Sequence, residues 1–441
     1  MNKILTALAI PLLAGALTAP VAAHGENAER PGAHSAEEWR SDVEAFMAVL
    51  RTKHDDPFYH TSQAAMEAAL ESYFLALPAM GRAQRIAGFA RIVAMVGDGH
   101  TWMPMHKLPF EGMPVGPAFR SLPVRFELFD DGLFIVGAVP EHANLLGGQV
   151  TRFGDVPTGI AVARTLELLP SDAQNFASEM VPEWLMQTEL LALLGLAQSA
   201  EGVALTVLTE GEVAAVKLAP LPSSSHYDWI FTMDSGPSGD LGWHSAAVSI
   251  PIWREPVTEP FVLRRLDNAA YLRIDQIGNG SSQSLKQMAD SAVAAALELE
   301  RPAIVIDLRR CLGGDGTLNS GVVDAIVKSP ALLQRGRIAV LTSRMSHSAA
   351  VMLVSALEQR TPAVFFGQPT ADRPNHHGET NIFVTPNTGL PIIHASEYYQ
   401  TSAPDDTRPF RSPDVPIPYL FSDYRDGTDP VLSAALADFE G

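Results

Sequence analysis

The sequence predicts an α/β chain, and three observations carry that prediction. From about residue 268 onward, short apolar strands alternate with helical patterns, as in a mostly parallel sheet with crossover helices. Before about residue 105 the apolar residues follow a helical period only. Between these regions the period drops to two, with turn signals between the runs. The chain has 441 residues, of which 46% are apolar, enough for a sizeable core and for two or more domains.

The elements follow in order. Ser35-Ala36-Glu37-Glu38 has the spacing of a capping box and opens a helix to about Lys53. Trp39, Val43, Phe46 and Leu50 share one of its faces, and Asp55-Asp56-Pro57 ends it. Further helices are predicted over about 62–76 and 82–96, the last stopping at Gly97. Val124, Phe126 and Leu128 alternate with polar residues, and Asp130-Asp131-Gly132 turns the chain into apolar 133–139, a hairpin. Val150 to Phe153 reads as a strand, 179–199 as a Leu-rich helix, and 203–208 with 213–218 as a second hairpin. Residues 220–262 are rich in Ser, Pro, Gly and Trp and give no clear pattern. Strands then fall at 270–274, 303–308, 337–342 and 363–366, with helices at 281–300, near 318–328 and at about 348–359.

The first residues read as an export signal. Lys3 precedes a small, apolar run from Ile4 to Ala19, and Val21-Ala22-Ala23 is an acceptable cleavage site. Pro11 and Pro20 interrupt a run that is short for a membrane span. The expected location is periplasmic or extracellular. Removal of residues 1–23 takes away one lysine and leaves 30 basic against 50 acidic residues, a net charge near −20. That balance excludes a basic footprint for nucleic acid or anionic membrane. Cys311 is the sole cysteine, so no intrachain disulfide forms.

Four segments carry candidate chemistry. Val96-Gly97-Asp98-Gly99-His100-Thr101 exposes a histidine on a turn after a helix, and Ser346-His347-Ser348 precedes another helix. A serine at a helix start and a histidine on a turn are the parts of a nucleophile–base pair. Each also has a plainer reading, as an N-cap or a core histidine. Leu312-Gly313-Gly314-Asp315-Gly316 follows a buried strand, where backbone amides can converge on an oxyanion, although such loops also occur for structural reasons. The loop fits neither a dinucleotide fingerprint nor a P-loop. His376-His377 lacks companions at metal-ligand spacing and is expected in a loop, and no metal site is expected. Cys311 is expected to be a small buried thiol.

Taken in order, these segments resemble the S41 serine peptidases, the family of C-terminal processing (tail-specific) proteases and the tricorn core. The resemblance rests on 96–101, 122–129, 303–316, Ser346–Ala350, 367–370 with 374–378, 385–390, Pro413-Asp414-Val415 and Asp429-Pro430-Val431-Leu432. It implies a crotonase-like α/β catalytic core over 266–441, after a helical domain over 35–105 and a β-rich middle domain over 106–265. The middle domain is compatible with a diverged PDZ-like module, though no carboxylate-binding loop can be identified in it. Ser348 falls on the nucleophile position. Gly313, Gly314 and Ala349 fall on the oxyanion-hole positions. Arg373 stands where the tail-specific branch has a lysine base, and an arginine stays protonated. His100 matches the histidine of the tricorn-like branch, with Gly99 in place of the preceding serine. Asp406 lies near the expected place of the acid, and Glu379 is a second candidate. Cys311 replaces a loop asparagine, which is expected to loosen the oxyanion hole, and His347 replaces a common aromatic.

The resemblance thus implies an exported serine peptidase that needs no cofactor and acts on a peptide or protein through an acyl-enzyme on Ser348. Two rivals are a catalytically silent peptide-binding protein on the same scaffold and an esterase or small-amide hydrolase. The chain lacks the Gly-x-Ser-x-Gly elbow of α/β-hydrolases. A third, a cell-surface structural module, predicts no role for Ser348 or His100.

Overall fold

In the computed structural model, residues 34–105, 117, 119–221 and 242–440 are described; the expected export signal lies outside them. Three helices come first: α1 (Ala36–Lys53), α2 (Gln63–Ala76) and α3 (Arg82–Ala94). The Ser35 capping box forms as predicted, with Glu38 N donating to Ser35 Oγ and Ser35 N to Glu38 Oε2 at 2.6 Å.

An antiparallel sheet follows, built from β1 (Val124–Phe129), β2 (Gly132–Ala138), β3 (Gln149–Phe153), β4 (Val156–Pro157), β5 (Val203–Thr209), β6 (Glu212–Leu218) and β7 (His244–Ser245). The strand order is β1-β2-β3-β5-β6, with β4 on β3 and β7 on β2. Both predicted hairpins are present. Helices α4 (Thr158–Leu166), α5 (Gln174–Trp184) and α6 (Thr188–Leu193) lie within this stretch, so the expected Leu-rich helix at 179–199 is two helices. One apolar core joins α1–α3, α5, α6 and the sheet, through Phe46, Phe89, Phe126, Phe153 and Trp184.

The second sheet has the order β17-β12-β11-β10-β9-β8. Its members are β8 (Phe261–Arg265), β9 (Ala270–Ile274), β10 (Ile304–Asp307), β11 (Ile338–Thr342), β12 (Val364–Gly367) and β17 (Val415–Pro416). All pairs are parallel except β8 with β9. Helices α7 (Leu285–Leu297), α8 (Asn319–Val327) and α9 (Ala349–Arg360) connect the parallel strands. Alternate residues face two separate cores. Leu272, Ile306 and Val340 pack with the crossover helices. Tyr271, Val305 and Leu341 pack with Val431, Leu432 and Phe439 around α11 (Pro430–Asp438), which follows α10 (Phe421–Asp426). Burial on both faces explains the uninterrupted apolar runs of these strands.

Two small antiparallel pairs complete the chain: β13 (His376–Gly378) with β16 (Glu397–Tyr399), and β14 (Asn381–Val384) with β15 (Pro391–His394). The turn between β14 and β15 reaches α1. There the buried Asp42 accepts hydrogen bonds from the N–H groups of Asn387 and Thr388, at 2.9 and 2.8 Å, and from both their side chains. β15 also bridges to Trp102, two residues after His100. Among the described residues, no helix is long and apolar enough to cross a membrane.

Candidate active site

The site forms beyond the carboxyl ends of β10 and β11, where open α/β sheets place their ligands. A buried ion network fixes the first loop. Arg309 pairs with Asp307 and makes two 2.8 Å bonds to Asp429, and Tyr271 donates to Asp307 at 2.7 Å. The second loop is laced onto the first. Ser343 Oγ donates to the Arg309 carbonyl (2.6 Å), Ser346 Oγ to the Leu308 carbonyl (2.9 Å), and His347 N to the Cys311 carbonyl (3.0 Å). Gly313 is thereby brought against Ser348.

Ser348 is the residue before the first turn of α9, and its backbone has φ 56° and ψ −125°. A non-glycine residue there stores about 1–3 kcal/mol of strain, which persists only where the surroundings hold it. Ser348 N donates to Asp372 Oδ2 at 2.9 Å. The Gly313 N–H points at the Cys311 thiol, whereas the amides of Gly314 and Ala349 have no hydrogen-bond acceptor among the described residues. Gly313 adopts φ 105°, and a Cβ placed on it would lie 2.6 Å from Ser348 Cβ, 3.0 Å from its Oγ and 3.1 Å from Ala349 N. The space beside the serine is therefore open only because residue 313 is glycine, and the free amides at the α9 terminus border it. That is the arrangement of an oxyanion hole, reinforced by the helix dipole.

His100 is buried, and its turn is held by Asp98, whose Oδ1 accepts His100 N at 2.9 Å. Asp98 Oδ2 lies 3.0 Å from His54 Nε2. Because His54 Nδ1 accepts from Asp56 N, its Nε2 carries the proton given to Asp98. The His100 ring stacks between His347 (centroids 4.3 Å, planes 25° apart) and His376 (5.7 Å, 11°), and Phe176 covers the far face of His347 at 4.2 Å. Among the described residues no side chain hydrogen-bonds either ring nitrogen of His100; the nearest backbone acceptor acting on the ring is that of His377. Burial first, and then the neighbouring histidines, hold His100 well below the usual histidine range; burial also lowers His347, against the pull of Asp372. Both rings are thus neutral near pH 7, as a proton acceptor must be.

The structure brings Ser348, Gly313, Gly314, Ala349 and His100 into one region. It does not bring the two acid candidates there. Asp406 is occupied by Arg408 and Ser402, and Arg408 in turn bonds Glu358 near the far end of α9. Glu379 is exposed and accepts from Tyr399. Arg373 is paired with Asp172. His376 and His377, expected in a loop, form a buried strand. Sequence reasoning missed Asp372, which is 3% exposed and faces both Ser348 N and His347 Nε2, the latter at 3.2 Å but out of line for a hydrogen bond. Its signal was spatial: a Cβ on Gly99 would sit 2.5 Å from Asp372 Oδ1.

His100, His347 and Asp372 have potential ligand atoms within 4.8 Å of one another. The two rings are nearly parallel, so their in-plane lone pairs run side by side rather than converging on one ion. Cys311 is fully buried, and burial pushes its thiol up to about 12, leaving it a poor nucleophile.

No family model and no curated protein matches the chain. Solved structures do. Mature CPAF complexed with lactacystin is similar at a TM-score of 0.59 and 12% identity, over 92% of this chain and 98% of that one. A serine-to-alanine mutant of CPAF gives a TM-score of 0.57 at 11% identity, over 88% and 94%. The photosystem II D1 C-terminal processing protease is similar at 0.40 and 14% identity, over 86% and 93%. At these identities the likeness is one of fold. The chain has the mixed α/β fold of mature CPAF, in keeping with the resemblance to S41 peptidases drawn from its motifs.

Proposed function

We propose that this protein is an exported serine peptidase with a crotonase-like core. His100 takes the hydroxyl proton of Ser348, and Ser348 Oγ attacks a peptide carbonyl. The oxyanion forms against the amides of Gly314 and Ala349. His100 returns the proton to the leaving amine, and water then cleaves the ester by the reverse route. The observation that carries this reading is the Ser348 backbone at φ 56°, beside amides without acceptors and a glycine that keeps the space open. Cys311 is part of that geometry: its carbonyl holds His347, and its buried thiol takes the Gly313 N–H, leaving the amides of Gly314 and Ala349 for the oxyanion.

One observation favours the silent-binder reading: the Ser348 hydroxyl has no hydrogen bond to His100 or to any other described residue. Such contacts are often long in ligand-free enzymes and tighten on substrate.

A fluorophosphonate probe separates the two. The mature protein should be labelled, Ser348→Ala should not, and His100→Ala should react at least 10²-fold more slowly. Absence of labelling in the wild type would overturn the hydrolase reading. Comparing peptide with p-nitrophenyl ester turnover, each corrected for Ser348→Ala, then separates a peptidase from an esterase.

A further inference from the structure

We propose that Asp372 is the acidic positioning residue of this site, holding Ser348 through its backbone N–H and placing a carboxylate charge beside the His347–His100 ring pair. The inference rests on the reading of Ser348 as nucleophile and His100 as base.

Three observations converge on this residue. Its Oδ2 accepts Ser348 N at 2.9 Å, so the same carboxylate fixes the strained serine backbone and lies 3.2 Å from His347 Nε2. Its Oδ1 and Ala173 Cβ together fill the volume that any side chain at residue 99 would need, 2.5 and 2.6 Å from a Cβ there. The serine that the family resemblance expects at that position is absent, and a carboxylate from another segment stands in its space. Finally, no side chain hydrogen-bonds either nitrogen of His100 among the described residues; the rings around it and the His377 backbone set its orientation, and its charge balance comes from what lies near.

When His100 accepts the Ser348 proton, a positive charge appears in a buried site. The groups facing it are His347 from the loop before α9, His376 and His377 from β13, and Asp372 from the loop after β12. Asp98 holds the turn from below, through the His100 N–H and His54. The histidines repel a proton on His100, and Asp372 attracts it. The carboxylate stays ionised throughout: the proton moves from Ser348 Oγ to a His100 nitrogen and back, and Asp372 carries none.

Asp372→Asn tests this, because the amide oxygen still accepts Ser348 N–H while the charge is lost. Fluorophosphonate inactivation should slow by about 10²-fold in its maximal rate, with the probe's half-saturation unchanged. A carboxylate favours imidazolium, so its removal lowers the histidine pKa, and the acid limb of the inactivation profile should move to lower pH. A purely structural role would leave that limb in place. Wild-type inactivation rate and pH midpoint in Asp372→Asn, alongside a silent Ser348→Ala and a slow His100→Ala, would overturn the role of Asp372 and leave the nucleophile intact. If the wild type is not labelled at all, the hydrolase reading has failed, and ring-proton NMR still decides this one. In the Ser348→Ala background, adding Asp372→Asn should lower the titration midpoint of His347, and an unmoved midpoint overturns the proposal. Should Asp372→Asn fail to fold, Gly99→Ala pushes the carboxylate aside without removing it, and a wild-type inactivation rate in that variant overturns the proposal too.

Discussion

Ser348 shows how a single residue holds a reactive geometry at the expense of local comfort. Its positive φ is imposed from both sides, by Asp372 on its N–H and by the first turn of α9, where Val351 N already bonds its carbonyl at 2.8 Å. The hole beside it depends on the absence of one carbon atom at Gly313. Gly313→Ala would place that carbon 3.0 Å from Ser348 Oγ, in a backbone conformation that alanine resists. We expect this variant to lose fluorophosphonate labelling by at least 10²-fold, the scale of one lost oxyanion donor. Its far-ultraviolet circular dichroism should be unchanged. Labelling at the wild-type rate would mean that the oxyanion is held elsewhere. Ser348, His100 and the glycines were legible because each sits at a punctuation point, a helix start or a turn after a strand. Asp372 was not, because only the packing of Gly99 against it gives it meaning, and packing between residues 273 positions apart leaves no periodic trace.

At the scale of elements, the β14–β15 hairpin ties α1 to the segment that carries His100. Its turn satisfies the carboxylate of Asp42 on α1, and its second strand exchanges hydrogen bonds with Trp102, at 3.1 and 3.0 Å, while Ala395 N donates to Thr101 Oγ1. The hairpin therefore braces the chain immediately after His100, at Thr101 and Trp102. Asp42→Ala should leave two half-buried backbone donors without their protein partner and destabilise the protein by about 1–3 kcal/mol. Urea unfolding measures that loss. Labelling of the folded fraction should also slow, since the brace on the turn loosens; a large loss of stability with labelling unchanged would show that hairpin and turn are uncoupled. Most elements were readable from caps and periods: the Ser35 capping box, the two early hairpins and the alternating strands. The segment 179–199 misled because the end of α5 and the Leu-rich α6 are both apolar and are separated by only three residues. β13 misled because its two histidines look polar, while the surrounding rings make them core residues.

For the molecule as a whole, the sequence pointed to separate helical and β-rich parts, yet α1–α3 and the first sheet bury one another in a single core. Contacts of that range depend on shape, which neither period nor composition records. The same burial makes an acid-sensitive protein. His100 and His347 are held below the usual histidine value of 6.5 by burial, and His377, packed against His54 and Tyr59, is lowered to about 4. All three are neutral in the folded chain at a pH where the unfolded chain has begun to protonate them. Their contribution to stability is complete above pH 6.5 and falls as the pH drops toward their folded values, because the unfolded state then binds more protons. Each such group removes about 1.4 kcal/mol per pH unit in that window. Between pH 7 and 5, His377 alone should account for about 2 kcal/mol of lost stability. Urea unfolding at pH 7, 6 and 5 should show the midpoint falling steadily, and His377→Phe should flatten the decline by that amount. A decline equally steep in the variant would mean that His377 titrates normally in the folded protein, and that the aromatic cluster around it admits water.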